Sequence, residues 1–116
     1  MGPMSYDDAL ADRVRTVLAD VAAGDTGITE KRVVGGALGF LKDGTMVVGI
    51  DAKGLFVRVG KQGYAAARAE PHAGPKLVGD RETSGFVSID PAGTATDDDL
   101  RRWVVRGLRF AARPKG

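Results

Sequence analysis

The pair Asp43-Gly44, set between two apolar runs, is the strongest constraint in this sequence of 116 residues. Both residue types tolerate φ > 0, which a two-residue hairpin turn requires. Such a turn sets strand register, pairing Leu41 with Met46, Gly39 with Val48 and Ala37 with Ile50. A second turn falls within Asp51-Ala52-Lys53-Gly54. An even loop there puts Leu55, Val57 and Val59 beside Ile50, Val48 and Met46, giving one continuous apolar face. An odd loop would put Phe56 and Arg58 on that face instead, so the patterning selects the even register. The opposite face then shows Leu38, Phe40, Val47, Phe56 and Arg58.

The flanks read as helices. Tyr6, Leu10, Val14, Val17, Leu18 and Val21 recur at helical spacing, with Ser5 or Asp7 as cap and Gly24 and Gly27 beyond the end. Gln62 to Ala69 is alanine-rich and stops before Pro71. Lys76-Leu77-Val78 reads as a short edge strand, and Phe86 to Ile89 as another. Thr96 caps a last helix, with Asp97, Asp98 and Asp99 in its first turn, where the helix dipole favours them. Leu100, Trp103, Val104, Leu108 and Ala111 face inward on it.

The expected order is α-β-β-β-α-β-β-α. Hairpin-linked strands with helices at the ends make an α+β fold, a two-layer sandwich with a mainly antiparallel five-stranded sheet. Residues 6–113 form a single domain of a size that buries a core without disulfide or metal. Residues 1–5 are a disordered or added leader, and 114–116 a tail.

Composition removes whole classes of chemistry. There is no Cys, hence no disulfide, thiolate nucleophile or thiolate metal site. His72 is the only His, placed between Pro71 and Ala73, and a lone loop histidine is ordinarily just exposed. Ser5, Ser84 and Ser88 are the only serines, and none sits in a nucleophile elbow. Asp97-Asp98-Asp99 point in different directions on a helix and do not converge on a metal. Gly60-Lys61-Gln62-Gly63 precedes a helix but completes no phosphate-loop fingerprint. The expectation is no catalytic set, no metal and no cofactor. No apolar run spans a membrane and no signal segment opens the chain, so the location expected is cytoplasmic.

Two surfaces remain. The net charge is only +2, but five Asp face two Arg in residues 1–25, while five Arg and a Lys face three Asp in 97–116. Arg102, Arg106, Arg109 and Arg113 recur at spacings of four, three and four, opposite the apolar stripe. They are a candidate row for nucleic-acid phosphates or an acidic partner, although a basic helix without interleaved aromatics is a weak nucleic-acid signature. The second surface is Leu38, Phe40, Val47, Phe56 and Arg58. Two aromatics and two aliphatics exposed together call for a cover, most simply a second copy in a homodimer. A ligand cleft, if there is one, would lie near Lys31, Arg58, His72 and Arg81.

Three landmarks carry a resemblance over about residues 6–113. Lys31-Arg32-Val33-Val34-Gly35-Gly36 leads into Gly39-Phe40-Leu41 with Gly44 and Met46. Leu55-Phe56-Val57-Arg58-Val59-Gly60 follows, and then Trp103-Val104-Val105-Arg106 with Leu108, Phe110 and Ala111. The ordered set resembles the N-terminal domain of the TfoX/Sxy family. The chain departs from it at Arg32-Val33-Val34-Gly35, where members usually carry Lys-Met-Phe-Gly. It departs again around Gly74-Pro75-Lys76 and Asp80-Arg81-Glu82-Thr83, where Arg81 and Gly85 fit but the flanking Pro and Met do not. The resemblance implies a small bacterial non-enzymatic module, acting in transcriptional or competence-type regulation through a protein partner. The alternatives are direct phosphate-backbone binding by the Arg stripe, or an enzyme or ligand-binding domain of another type.

Overall fold

Among the described residues the periodicities and turns of the sequence become three α-helices and six strands. A computed structural model describes residues 6–33, 36–78 and 80–112. Helix α1 is Asp8–Val21, capped by Asp7, whose carboxylate accepts from the amides of Ala9 (2.9 Å) and Leu10 (3.3 Å). The other cap candidate, Ser5, lies outside the described residues, as do the expected leader 1–5 and tail 114–116. Strands β1 (Ile28–Arg32), β2 (Leu38–Lys42), β3 (Thr45–Asp51) and β4 (Gly54–Arg58) follow. Helix α2 is Gly60–Arg68, strands β5 and β6 are Ala73–Val78 and Arg81–Ile89, and α3 is Asp97–Ala111. A 3-10 turn at Pro91–Thr94 leads into α3, whose cap is Thr96.

The fold class expected from the sequence holds as α+β with an antiparallel sheet, but the strand count does not. Among the described residues the sheet has six strands in the order β1-β2-β3-β4-β6-β5. The strand missed is β1, Ile-Thr-Glu-Lys-Arg, whose charges hide any apolar alternation. It lies at the sheet edge and pairs only with β2, where charged side chains are tolerated and discourage further pairing.

Both turns behave as read. Asp43 and Gly44 take φ of 50° and 85°, and the second loop is even, with Ile50 opposite Leu55 and Val48 opposite Val57. The register expected between β2 and β3 survives only at its first pair. Leu41 faces Met46, but Phe40 faces Val48, Gly39 faces Gly49 and Leu38 faces Ile50. Strand β3 therefore carries one extra residue, Val47, as a bulge. A bulge turns two successive side chains toward the same side of the sheet. Val47 and Val48 both point to the helices, and Met46 is sent to the other side, where its methyl group lies over Gly39.

That one residue corrects the assignment of faces. Leu38, Phe40 and Val47 belong to the core, with Phe40 and Val47 each 1% exposed. They join Val48, Ile50, Leu55, Val57, Val87 and Ile89 under the helices. All three helices contribute to that layer. Helix α1 reaches β1 and β2 through Leu18, Phe40 and the Arg15–Glu30 pair (2.8 Å). Helix α3 crosses β3 and β4, and α2 packs on β6 and β5. Leu100, Trp103 and Val104 of α3 are fully buried, as its apolar stripe requires.

Candidate functional site

With the helices on one side, the other side of the sheet is a free-standing surface built by strand register. Residues 29, 31 and 33 of the first strand region point away from the helices, since Glu30 meets Arg15 of α1 and Arg32 stacks on Tyr6 (5.1 Å). The registers then give one transverse row, Lys31–Gly39–Gly49–Phe56–Ser88–Gly74. Half of its positions are glycine, so the row is a low floor. The Phe56 ring lies across Gly49, the Met46 side chain fills the space over Gly39, and nothing lies within 4 Å of the position a Cβ on Gly74 would take. Phe56 is only 5% exposed although no described helix lies on it. Phe86 completes its cover at 6.2 Å between ring centroids, and Lys76 caps the ring at 4.6 Å while pairing with Asp51 at 2.6 Å.

Arg58 stands in the neighbouring row, directly opposite Phe86. Its guanidinium is stacked on the rings of Phe86 (5.5 Å) and of Phe110 from α3 (5.0 Å). No carboxylate among the described residues lies within 4 Å of Arg58 or of Lys31. Arg58 is thus the member of the expected interface set that remains at this surface, with Phe56 folded flat beside it. The exposed aromatic patch that called for a second copy is not formed. Among the described residues Leu77, 41% exposed, is the large apolar side chain left in solvent.

The arginine row of α3 is partly spoken for. Arg102 donates to one oxygen of Glu70 at 2.7 Å, and Arg106 donates to the other. Both guanidiniums also lie over the Trp103 ring, at 5.0 and 4.9 Å. The Trp103 indole N–H has no partner among the described residues, so its place rests on packing and on these two cations. Burial works upward on the Glu70 carboxyl, but the hydrogen bonds from Arg106 and Arg102 outweigh it and hold the group below the usual carboxylate range. Arg109 is exposed, and Arg113 lies outside the described residues. A shallow groove along this face is lined by Asp98, Arg101, Arg102, Val105, Arg106 and Arg109.

The residues considered for a cleft do not meet. Lys31 and Arg58 share the outer face but are separated by β2 and β3, roughly 16 Å across three strand spacings and two residues along the strand. Arg81 begins β6, whereas His72 sits beside its far end, with Nδ1 3.3 Å from Asp90. Gly60-Lys61-Gln62-Gly63 forms the first turn of α2 behind Val59, which makes no side-chain cap. Among the described residues no group of three His, Asp or Glu is placed to hold a metal ion, and no helix is long and apolar enough to cross a membrane.

A family model described as the TfoX N-terminal domain matches residues 20–111. The chain belongs to this family. No curated protein and no solved structure matches it. In this TfoX N-terminal domain the landmarks of the sequence converge as cation–aromatic contacts. Arg58 of the second landmark stacks on Phe110 of the third, and Arg106 of the third stacks on Trp103. Sequence reasoning missed the glycine-floored row because the bulge at Val47 is invisible in an apolar run. The available signal was Gly39, Gly49 and Gly74, since a glycine inside a strand marks a bulge or a close approach.

Proposed function

We propose that this TfoX N-terminal domain is a non-enzymatic interaction module, acting in transcriptional or competence-type regulation by binding a protein partner. Family membership carries the reading. The placement of Lys31, Arg58, His72 and Arg81 at separate points supports it, because acid–base or nucleophilic chemistry needs its groups within hydrogen-bond reach of one reacting atom. Native mass spectrometry of freshly purified protein, with a panel of hydrolase and transferase substrates, tests it. The expected result is no bound small molecule and no turnover. Turnover abolished by a point substitution overturns the reading.

The groove along α3 favours a second reading, direct contact with nucleic-acid phosphates. It is weaker because Arg102 and Arg106 already share Glu70, which lowers the charge available for counterion release. Fluorescence anisotropy with labelled duplex at low and moderate salt decides between them. Little binding is expected. Tight binding whose log K falls by about 0.9 per phosphate, lost in R102A/R106A/R109A, would replace the first reading with the second.

A further inference from the structure

We propose that the outer face of the sheet is the docking surface for an acidic, partly apolar segment of the partner protein, with Arg58 as its anchor. This deepens the interaction-module reading by naming the surface and the chemistry it recognises. All three helices pack on the other side of the sheet, and Phe110, near the end of α3, reaches round to Arg58 at the margin of this face. Its most distinctive group is the Arg58 guanidinium, stacked on Phe86 and Phe110 with no carboxylate among the described residues within 4 Å. An arginine stacked on aromatic rings has surrendered much of its rotamer freedom before binding. Its planar fork is then presented to an incoming carboxylate at little further entropic cost.

The surroundings select the same occupant. In these central rows the outward strand side chains carry Lys31, Arg58 and Lys76 against Asp51, and Asp51 is taken by Lys76. The surface is cationic at Lys31 and at Arg58, roughly 16 Å apart across three strand spacings and two residues along the strand. An extended segment covers that span with about five residues. Between the two cations Leu41 and Met46 are half-buried, and Phe86, also half-buried, lies on β6 just beyond Arg58. They offer apolar contact to side chains that alternate with the acids. At Gly74, where nothing lies within 4 Å of a Cβ position, the floor admits a backbone at close range. A second copy of this chain fits less well. A two-fold contact sets the patch against itself, placing Lys31 and Arg58 of one copy before the same cations of the other.

A ¹⁵N-labelled sample of the whole chain, titrated with a short synthetic peptide of Asp and Glu interrupted by Phe, tests the proposal. The expected shifts are saturable and salt-sensitive, at the amides of Gly39, Gly49, Phe86 and Ser88 and at the Arg58 side-chain N–H. R58Q should weaken binding about 10-fold, because a charge-assisted hydrogen bond is lost. L41D should weaken it as well by placing a carboxylate in the path of an acidic ligand. If R58Q does not give a native spectrum, R58K, which keeps the charge but loses the fork, and L41D carry the test. No shift at millimolar peptide overturns the proposal, as does equal binding of a peptide with Lys in place of the acids. Shifts confined to Arg102 and Arg109 also overturn it, but they leave the partner-binding reading standing with α3 as its surface. Outer-face shifts that grow with protein concentration alone would assign the face to a second copy. The same shifts at lower concentrations of duplex DNA would assign it to nucleic acid.

Discussion

The Phe56 ring occupies the space that any side chain at Gly49 would need: a Cβ there would lie 2.1 Å from the ring Cζ. The two residues are cross-strand partners, so the glycine is what lets the ring lie flat and hide without a helix above it. Gly49→Ala should therefore destabilise the domain by about 1–3 kcal/mol, the usual range for overpacking. The clash is specific to one partner. In a Phe56→Ala background the same change at Gly49 should cost far less. A double-mutant cycle by urea denaturation measures this, and additive costs would show that the ring is not what Gly49 accommodates.

Phe40 and Phe56 look equivalent in the sequence but do different work. Phe40 is 1% exposed beneath the helices, among Leu18, Leu38 and Val48. Phe40→Ala should cost about 3–5 kcal/mol, as for other large core aromatics. Chemical denaturation reads this directly. A cost below about 1 kcal/mol would return Phe40 to the outer face and remove the bulge at Val47 from the description.

The hairpin turns, both helix caps and the inward stripe of α3 were legible because each rests on local chemistry. Asp43-Gly44 needs φ > 0, Thr96 offers a hydroxyl to the Asp99 amide, and Leu100, Trp103 and Val104 repeat at helical spacing. What escaped was non-local. One extra residue in β3 changes which β2 residues share a side with Val48 and Ile50, and Met46, Val47 and Val48 are all apolar, so no alternation reports the slip. The arginine row was visible by spacing, but its neutralisation was not. Glu70 lies 32 residues from Arg102, and only the fold brings the turn after α2 to the side of α3.

Glu70 makes the link between the turn after α2 and α3 sensitive to acid. Its carboxyl is held below the ordinary value of about 4.3 in the folded protein, chiefly by Arg106 and Arg102 against the opposing effect of burial. A depressed folded value means that the unfolded chain takes up the proton first. The stabilisation is therefore complete above the ordinary glutamate range and is lost as pH falls through the folded value. Glu70→Gln should lower stability near neutral pH by about 1 kcal/mol and flatten the acid limb below pH ~4.5. Thermal melts at matched ionic strength across that range decide it. An unchanged acid limb would show that the two arginines do not hold this carboxylate in solution.

Gly63 and Gly107 are both helix-interior glycines, and the surrounding atoms give them opposite responses to the same substitution. In isolation Gly→Ala favours a helix by about 0.8–1 kcal/mol, because alanine leaves less backbone freedom to lose. At Gly63 in α2 the nearest atom to a new Cβ is Val59 Cβ at 3.7 Å, an ordinary contact. Gly63→Ala should therefore stabilise the domain by roughly 0.5–1 kcal/mol, read as a rise of a few degrees in Tm. At Gly107 in α3 the same methyl would meet the Val47 carbonyl oxygen at 2.4 Å and its carbon at 3.0 Å. Those are backbone atoms of the bulged strand, so relief requires α3 to lift off the sheet, away from contacts that bury Trp103 and Val104. The expected outcome for Gly107→Ala is a net loss of about 1 kcal/mol or more despite the better helix propensity. Calorimetry on the two variants side by side reads both signs. If Gly107→Ala melted above the parent, α3 would not cross the sheet at Val47 as described.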